Sequence, residues 1–175
     1  EAIAGYYAKM LDFNTALYYQ QKAFEYYDSI PPRSRDPYLV RDLQNGIGYI
    51  ASEMGRNELA LKQFIAALKT YEAMPLDNKY FQIQSNLALL YESLLELRNS
   101  KNLRMSLLQE AEEFYGQNSE YFFNLLRKHL LFMLRCFPEE LEFSQIRDLE
   151  RLYREINTDI PSISSRYHIF LADYY

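Results

Sequence analysis

Cysteine is nearly absent from this chain. Cys136 stands alone among 175 residues, so an internal disulfide and a multi-cysteine zinc site are both excluded, and stability must come from packing. A single thiol is compatible with either redox compartment. Histidine is almost as scarce, with only His129 and His168, and tryptophan does not occur. The 5 glycines and 6 prolines gather at a few places and leave long stretches without a helix breaker. No uncharged apolar window reaches the roughly 18 residues that a membrane helix needs. The nearest, residues 129–137, is short and interrupted by Arg135. Basic charge is also in deficit: 19 Lys and Arg against 24 Asp and Glu give a formal net charge of -5. That balance argues against a nucleic-acid-binding face built on bulk charge.

Hydrophobic residues make up 49% and charged residues 25%, enough apolar side chain to offset the entropy of ordering the chain and to exclude global disorder. A length of 175 residues predicts a single domain over 1–175, with one core or one repeat array. The chain begins with Glu1 rather than Met, residues 2–11 already read as helix, and residues 162–175 read as a helix without a packing partner. An excerpt of a longer protein is therefore expected, and the lack of a leader carries no information.

Apolar residues recur at three- and four-residue spacing almost throughout, which is an all-helical pattern. Helices are expected over 1–11, 13–29, 37–54, 57–73, 77–97, 100–115, 119–136, 142–156 and 162–175, joined by short connections that make neighbours antiparallel. Pro31-Pro32 and Pro75 stop helices, Asp36-Pro37 places proline at a first helical position, Gly55 suits a left-handed residue, and Asn118-Ser119 supplies a cap. A shift of 44 residues matches Leu17 with Leu61, Met105 and Leu149, Ala23 with Ala67 and Ala111, and Pro31 with Pro75. Ala16 falls on Ala60, but Arg104 then breaks that series. A period one helical hairpin long predicts an all-α, right-handed α-solenoid of antiparallel helical hairpins, with about four hairpins and a terminal helix. An irregular helical bundle is the alternative.

The segment Asn86-Leu87-Ala88-Leu89-Leu90-Tyr91, the large-small step Ile47-Gly48, and the small-aromatic-small set Ala60, Phe64 and Ala67 resemble the tetratricopeptide repeat family. Ala4, Tyr7, Ala16 and Ala23 sit at the matching positions of a first repeat, and the likeness covers residues 1–115 before it fades. The family's usual period is about 34. A longer hairpin is similar to the long-repeat arrays of bacterial regulators and sensors. A HEAT-like array is the rival, but the small residues at Ala60 and Ala67 fit the tetratricopeptide pattern better.

The inventory for catalysis is thin. His129 and Cys136 are seven positions apart, which on one helix separates them by about 10 Å and prevents a direct Cys-His dyad. Cys136 beside Leu134 and Phe137 reads as a small buried hydrophobe, and His129 among leucines as a hydrogen-bonded packing residue. No His-rich or Cys-rich spacing supplies a metal site, so neither a metal nor a cofactor is expected. Asn45-Gly46-Ile47-Gly48 contains GxG but lacks the further glycine and the preceding strand of a nucleotide loop, so small residues for close helix packing explain it better. Glu139, Glu140 and Glu142 follow Pro138 at a helix start, where carboxylates favour the positive end of the dipole. A carboxylate pair such as Glu53 with Glu92 is the sole enzymatic alternative.

Tyrosine is the abundant aromatic, 17 residues beside 11 Phe. Adjacent pairs such as Tyr6-Tyr7, Tyr18-Tyr19, Tyr26-Tyr27 and Tyr174-Tyr175 point about 100° apart on a helix, so one ring of each pair turns toward solvent or a partner. Tyrosine suits contact surfaces, and it also fills wide gaps between repeats.

The resemblance implies that first helices line a concave groove. It places Lys9 there from the first repeat, Asp42, Asn45, Tyr49, Ser52 and Glu53 from the second, and Gln82, Ser85, Leu89, Glu92 and Ser93 from the third. Their mixture suits an extended peptide or a partner helix. Gly5, Gly46, Asp42 and Gln82 stand where the family's carboxylate clamp would need Asn and basic residues, which disfavours an acidic chaperone tail. Asn124, Lys128, Leu131 and Arg135, with Arg127 beside them, form a local basic stripe or a solvated outer face. The reading is a non-enzymatic scaffold that binds a peptide or protein segment, makes no nucleic-acid contact and has no membrane span. The sensing region of a bacterial transcriptional regulator or histidine kinase is the alternative, and an oligomerisation spacer a third.

Overall fold

The computed structural model describes residues 2–156, 167–170, 172 and 174. They form helices and connecting turns, with no strand among the described residues. The helices are α1 (Ala2–Lys9), α2 (Phe13–Ser29), α3 (Pro37–Glu53), α4 (Asn57–Lys69), α5 (Asn78–Ser93), α6 (Leu97–Tyr115), α7 (Glu120–Cys136) and α8 (Phe143–Glu155). The chain divides into two compact units, Glu1–Glu96 and Leu97–Tyr175. In the first unit α1 packs on α2, α2 on α3, α3 on α4 and α4 on α5; in the second α6 packs on α7 and α7 on α8. Such sequential packing makes an all-α, solenoid-like fold, in which each helix buries its apolar stripe against its chain neighbours.

Local signals start and stop the helices largely where expected. Asp36 precedes Pro37, and its carboxylate accepts from the Tyr38 backbone N–H at 2.9 Å. Ser119 accepts from Phe122 N–H at 3.1 Å to open α7. Glu142 and Gln145 close a reciprocal capping box on α8, so part of the acidic cluster after Pro138 is a helix start. Glu140 pairs with Lys101 of α6.

Three loops share one geometry. Leu11, Gly55 and Leu95 lie at φ 60°, 69° and 60°. The following residues Asp12, Arg56 and Glu96 donate N–H to Tyr7, Ala51 and Tyr91 carbonyls at 2.9, 2.8 and 2.9 Å. These bonds satisfy helix C-terminal carbonyls as a left-handed cap does. They also correct the spacing. Leu11 to Gly55 is 44 positions, but Gly55 to Leu95 is 40. The residue equivalent to Ala16 and Ala60 is therefore Ser100, and all three are 0% exposed. Met105, matched to Leu17 at a constant 44, is 53% exposed and has no equivalent place. The break expected at 97–100 moves to residues 94–96 for the same reason: Leu95 bends the chain although leucine carries no turn signal. The helix expected over 57–73 ends at Lys69 and finishes as a 3-10 turn, Thr70–Glu72. Of the helix expected over 162–175, residues 167–170 are helical and most of the others lie outside the described residues.

The core of the first unit gathers Ala16, Leu17, Ile47 and Ile50, with Tyr7, Phe13, Phe24 and Met54 packed against them. Gly48 of α3 lets Phe64 of α4 approach, since a Cβ there would lie 2.7 Å from the ring. Gly46, two residues earlier, does the same for Gln20 of α2 at 2.2 Å. Close packing thus accounts for the GxG of α3. In the second unit Leu107, Phe123, Leu130, Phe132 and Leu149 are buried.

Candidate functional site

The first unit contains an open cleft of about 410 Å³. Helix α1 contributes a wall of small residues, Ala4, Gly5 and Ala8, ending at Lys9. Helix α3 contributes Asp42, Asn45 and Tyr49, and α5 contributes Lys79 at the rim. The α3 residues follow from the helical period: Leu43, Ile47, Ile50 and Ala51 are buried in the core, so positions 42, 45 and 49 share the side that faces the cleft.

Of the residues expected to share a groove, Lys9, Asp42, Asn45 and Tyr49 come together here. Ser52, Glu53, Gln82, Ser85, Leu89, Glu92 and Ser93 do not line this cleft. Leu89 on α5 is 55% exposed and Tyr49 45%. The Ser93 hydroxyl donates to the Leu90 carbonyl at 2.8 Å, and Gln82 accepts from Lys79 Nζ at 3.0 Å. Asn45 is more buried than a groove residue was expected to be, at 8% exposed. Its Oδ1 accepts from Asn86 Nδ2 at 3.1 Å, a direct link between α3 and α5.

The charge on this wall is set by a network that sequence reasoning missed. Arg41 is buried, 3% exposed, and its guanidinium donates to Asp42 Oδ1 at 2.9 Å, to the Tyr71 hydroxyl at 2.9 Å and to Asp77 Oδ2 at 2.6 Å. It also lies 5.1 Å and 5.5 Å from the Tyr38 and Tyr71 ring centroids. Tyr71 donates to Asp77 Oδ1 at 2.5 Å, and the same oxygen accepts from Lys79 and Tyr80 N–H to cap α5. Burial by itself would raise the Asp77 pKa, but the hydrogen bonds from Tyr71, Arg41 and the Tyr80 backbone outweigh it and hold the carboxyl below its usual range. Burial, then the bond to Asp77, raises the Tyr71 phenol far above its usual value. The Tyr49 phenol is raised by burial and by the nearby Glu53 carboxylate.

Asp42 is therefore committed to Arg41, while Lys79 bonds a neutral amide. The arrangement provides polar contacts over a small-residue wall and suits binding. Gln20 of α2 was the second omission: it lies 3% exposed at the cleft floor, and its Nε2 donates to the Leu43 carbonyl at 3.2 Å. One signal in the sequence could have found it. Its equivalent in the next hairpin, 44 positions on, is Phe64, so a polar residue stands where that hairpin carries a ring.

In the second unit the stripe residues turn back on their own helix. Asn124 Nδ2 donates to the Glu120 carbonyl at 2.9 Å, Arg135 Nε to that of Leu131 at 3.2 Å, and Lys128 is exposed. His129 is 5% exposed and its Nδ1 lacks a hydrogen-bond partner among the described residues, where a hydrogen-bonded packing role was expected. Burial, with Arg104 and Lys101 nearby, lowers its pKa to about 4. Cys136 is partly buried. No cluster of three or more His, Cys, Asp or Glu suited to a metal occurs among the described residues. None of the helices they form is long and apolar enough to cross a membrane.

No protein-family model matches the sequence, and no curated protein matches it. Among solved structures the chain is similar to the crystal structure of BtubC (BKLC) from P. vanneervenii, with a TM-score of 0.67 at 16% identity, covering 97% of this chain and 73% of that one. At that identity the likeness is one of fold, an all-helical succession shared along nearly the whole chain.

Proposed function

We propose that the chain is a tetratricopeptide-like, non-enzymatic binding scaffold whose first unit holds an extended peptide or protein segment across α1, α3 and α5. The observation that carries this reading is the convergence of Lys9, Asp42, Asn45 and Tyr49, from two first helices, on one open cleft. Tyr49 supplies a large ring with a polar tip, a residue type that dominates binding energy at interfaces. The neighbouring wall is fixed before any partner arrives, because Arg41 ties Asp42 to the cap of α5. Preorganisation of that kind lowers the cost of binding.

The test is calorimetric titration of segments selected from a randomised linear peptide library against wild type, Tyr49→Ala and Lys62→Ala, which alters an exposed residue of α4. Tyr49→Ala is expected to cost about 2 kcal/mol, roughly thirtyfold in affinity, with the fold intact. Lys62→Ala is expected to bind as wild type. Equal affinity for wild type and a folded Tyr49→Ala moves the site off this cleft.

A further inference from the structure

A continuous row of tyrosine rings crosses the first two helices, away from the cleft. Tyr6 meets Tyr7 edge to face at 5.5 Å between ring centroids, Tyr7 stacks on Tyr19 of α2 at 5.7 Å with the planes 9° apart, and Tyr19 meets Tyr18 edge to face at 5.4 Å. Ile3 lies a turn before Tyr6, and Met10 a turn after it, where the Met10 N–H still bonds the Tyr6 carbonyl. Tyr26 lies two turns beyond Tyr19 on α2, so helical spacing extends the patch along each helix. Ile3, Tyr6, Met10, Tyr18 and Tyr26 are each more than half exposed, and none of them lines the cleft. The opposite sides of the same helices, with Ala4, Ala16, Leu17 and Tyr27, are already buried in the core.

The area of this surface matches a particular kind of occupant. A tyrosine brings roughly 200 Å² to a contact, so exposures of 61, 37, 55 and 73% at Tyr6, Tyr19, Tyr18 and Tyr26 leave roughly 450 Å² of these side chains open. On the same scale Ile3 and Met10 carry the patch to roughly 700 Å². The largest apolar patch of a typical monomer is roughly 300–600 Å², whereas each partner of a stable protein pair buries roughly 800 Å². Charge is consistent with a second copy. The chain has a formal net charge of -5, so copies repel through much of their surface. Beside these rings, however, Lys22 and Glu25 neutralise each other at 2.6 Å, with Lys22 Nζ 5.9 Å from the Tyr18 ring centroid, and Lys9 turns to the cleft instead. A surface built largely from one residue type is complementary to itself: ring edges pair with ring faces, and each phenol both donates and accepts. An isologous two-fold contact requires that property.

We infer that the tyrosine surface of α1 and α2 is a homodimer interface whose occupant is a second copy of this chain. The copies meet about a two-fold axis, each covering the open rings of the other, and the residues that line the cleft take no part. The dimer is independent of the peptide-binding reading above.

The experiment is sedimentation equilibrium of the 175-residue chain over roughly 1–200 μM, a range that includes the weaker affinities of interfaces this size. Wild type is expected to approach twice the 20.9 kDa of one chain. Tyr6→Lys and Tyr26→Lys, one on each helix and both at exposed positions, are expected to keep the helical circular dichroism and melting temperature of wild type. Each places like charges in an interface that contains it twice, and is expected to weaken dimerisation roughly tenfold or more. Ile65→Lys, at an exposed apolar residue of α4, is expected to dimerise as wild type. A wild type that stays monomeric at the highest concentration overturns the inference. So does a dimer that persists in both folded tyrosine variants, or one that Ile65→Lys abolishes. A mass that climbs past two chains marks open-ended association in place of a closed two-fold pair and overturns it as well.

Discussion

Single residues set the chemistry of each unit more than their frequency in the sequence implies. Arg41 is one of 19 basic residues, yet it is buried between two tyrosine rings and two carboxylates. Arg41→Met keeps much of the volume but leaves Asp42 and Asp77 facing each other without a cation. A loss of about 2 kcal/mol is expected, below the 3–5 of a fully buried pair because Asp42 and Asp77 keep solvent access. Thermal denaturation of Arg41→Met measures it, and an unchanged melting temperature would show the network to be incidental. His129 is the counterpart in the second unit. Its folded pKa of about 4 lies below the ordinary 6.5, so between those values the unfolded chain binds a proton that the folded one refuses. Its contribution is complete above about 6.5, is lost as pH falls toward 4, and amounts to something on the order of 3 kcal/mol. His129→Leu is expected to remove that slope; a urea-stability profile still falling from pH 6.5 to 4 would assign it elsewhere.

At the scale of elements, the repeated turn between paired helices is the organising device, and it is built on different residues each time. Gly55 adopts its left-handed conformation without a side-chain penalty, whereas Leu11 and Leu95 adopt it against one of about 1–2 kcal/mol. Leu95 is also 81% exposed, so glycine there sacrifices little packing. Leu95→Gly is expected to stabilise by about 1 kcal/mol, which for a chain of this length raises the melting temperature by about 2–4 °C. Gly55→Leu is expected to lower it by a similar amount. Should both variants melt like wild type, the shared turn is not strained. Packing between elements turns on small residues: Ala67 is 0% exposed on α4, and Ala67→Leu is expected to overpack by about 1–3 kcal/mol. Calorimetry against wild type decides it.

For the molecule as a whole, the two acid-sensitive groups lie in different units and respond in different windows. Asp77 in the first unit has a depressed pKa, so its contribution is complete above the ordinary 3.8 and is lost only as pH falls below that. His129 in the second unit acts between about 6.5 and 4. Hydrogen exchange at pH 7, 5 and 3 is therefore expected to show α6 and α7 losing protection at pH 5 while α3 and α5 keep theirs until pH 3. Simultaneous loss in both units would refute that separation.

The sequence by itself determined the helical class, the caps at Asp36 and Ser119, the left-handed turn at Gly55 and the need for small residues at Ala16, Ala60 and Ala67. Each of these is local or periodic: a cap needs only the next turn, and an apolar stripe repeats wherever a helix is half-buried. The Tyr26-Tyr27 pair was legible in the same way, 73% exposed beside 4%, as the helical angle between them requires, whereas Tyr18 and Tyr19 are both exposed. Tertiary structure alone decided the rest. A leucine at positive φ carries no signal, so the change from 44 to 40 residues was hidden until Leu95 was seen to bend as Gly55 does. Gln20 entered the cleft because Gly46, on another helix, leaves room for it. Asn45 is held in place by Asn86, 41 positions away in the chain, whose Nδ2 donates to its Oδ1. The polar groups of the cleft are assembled across helices, and the pairing that orients them depends on which turn of one helix meets which turn of the next, a register that no local stretch of sequence contains.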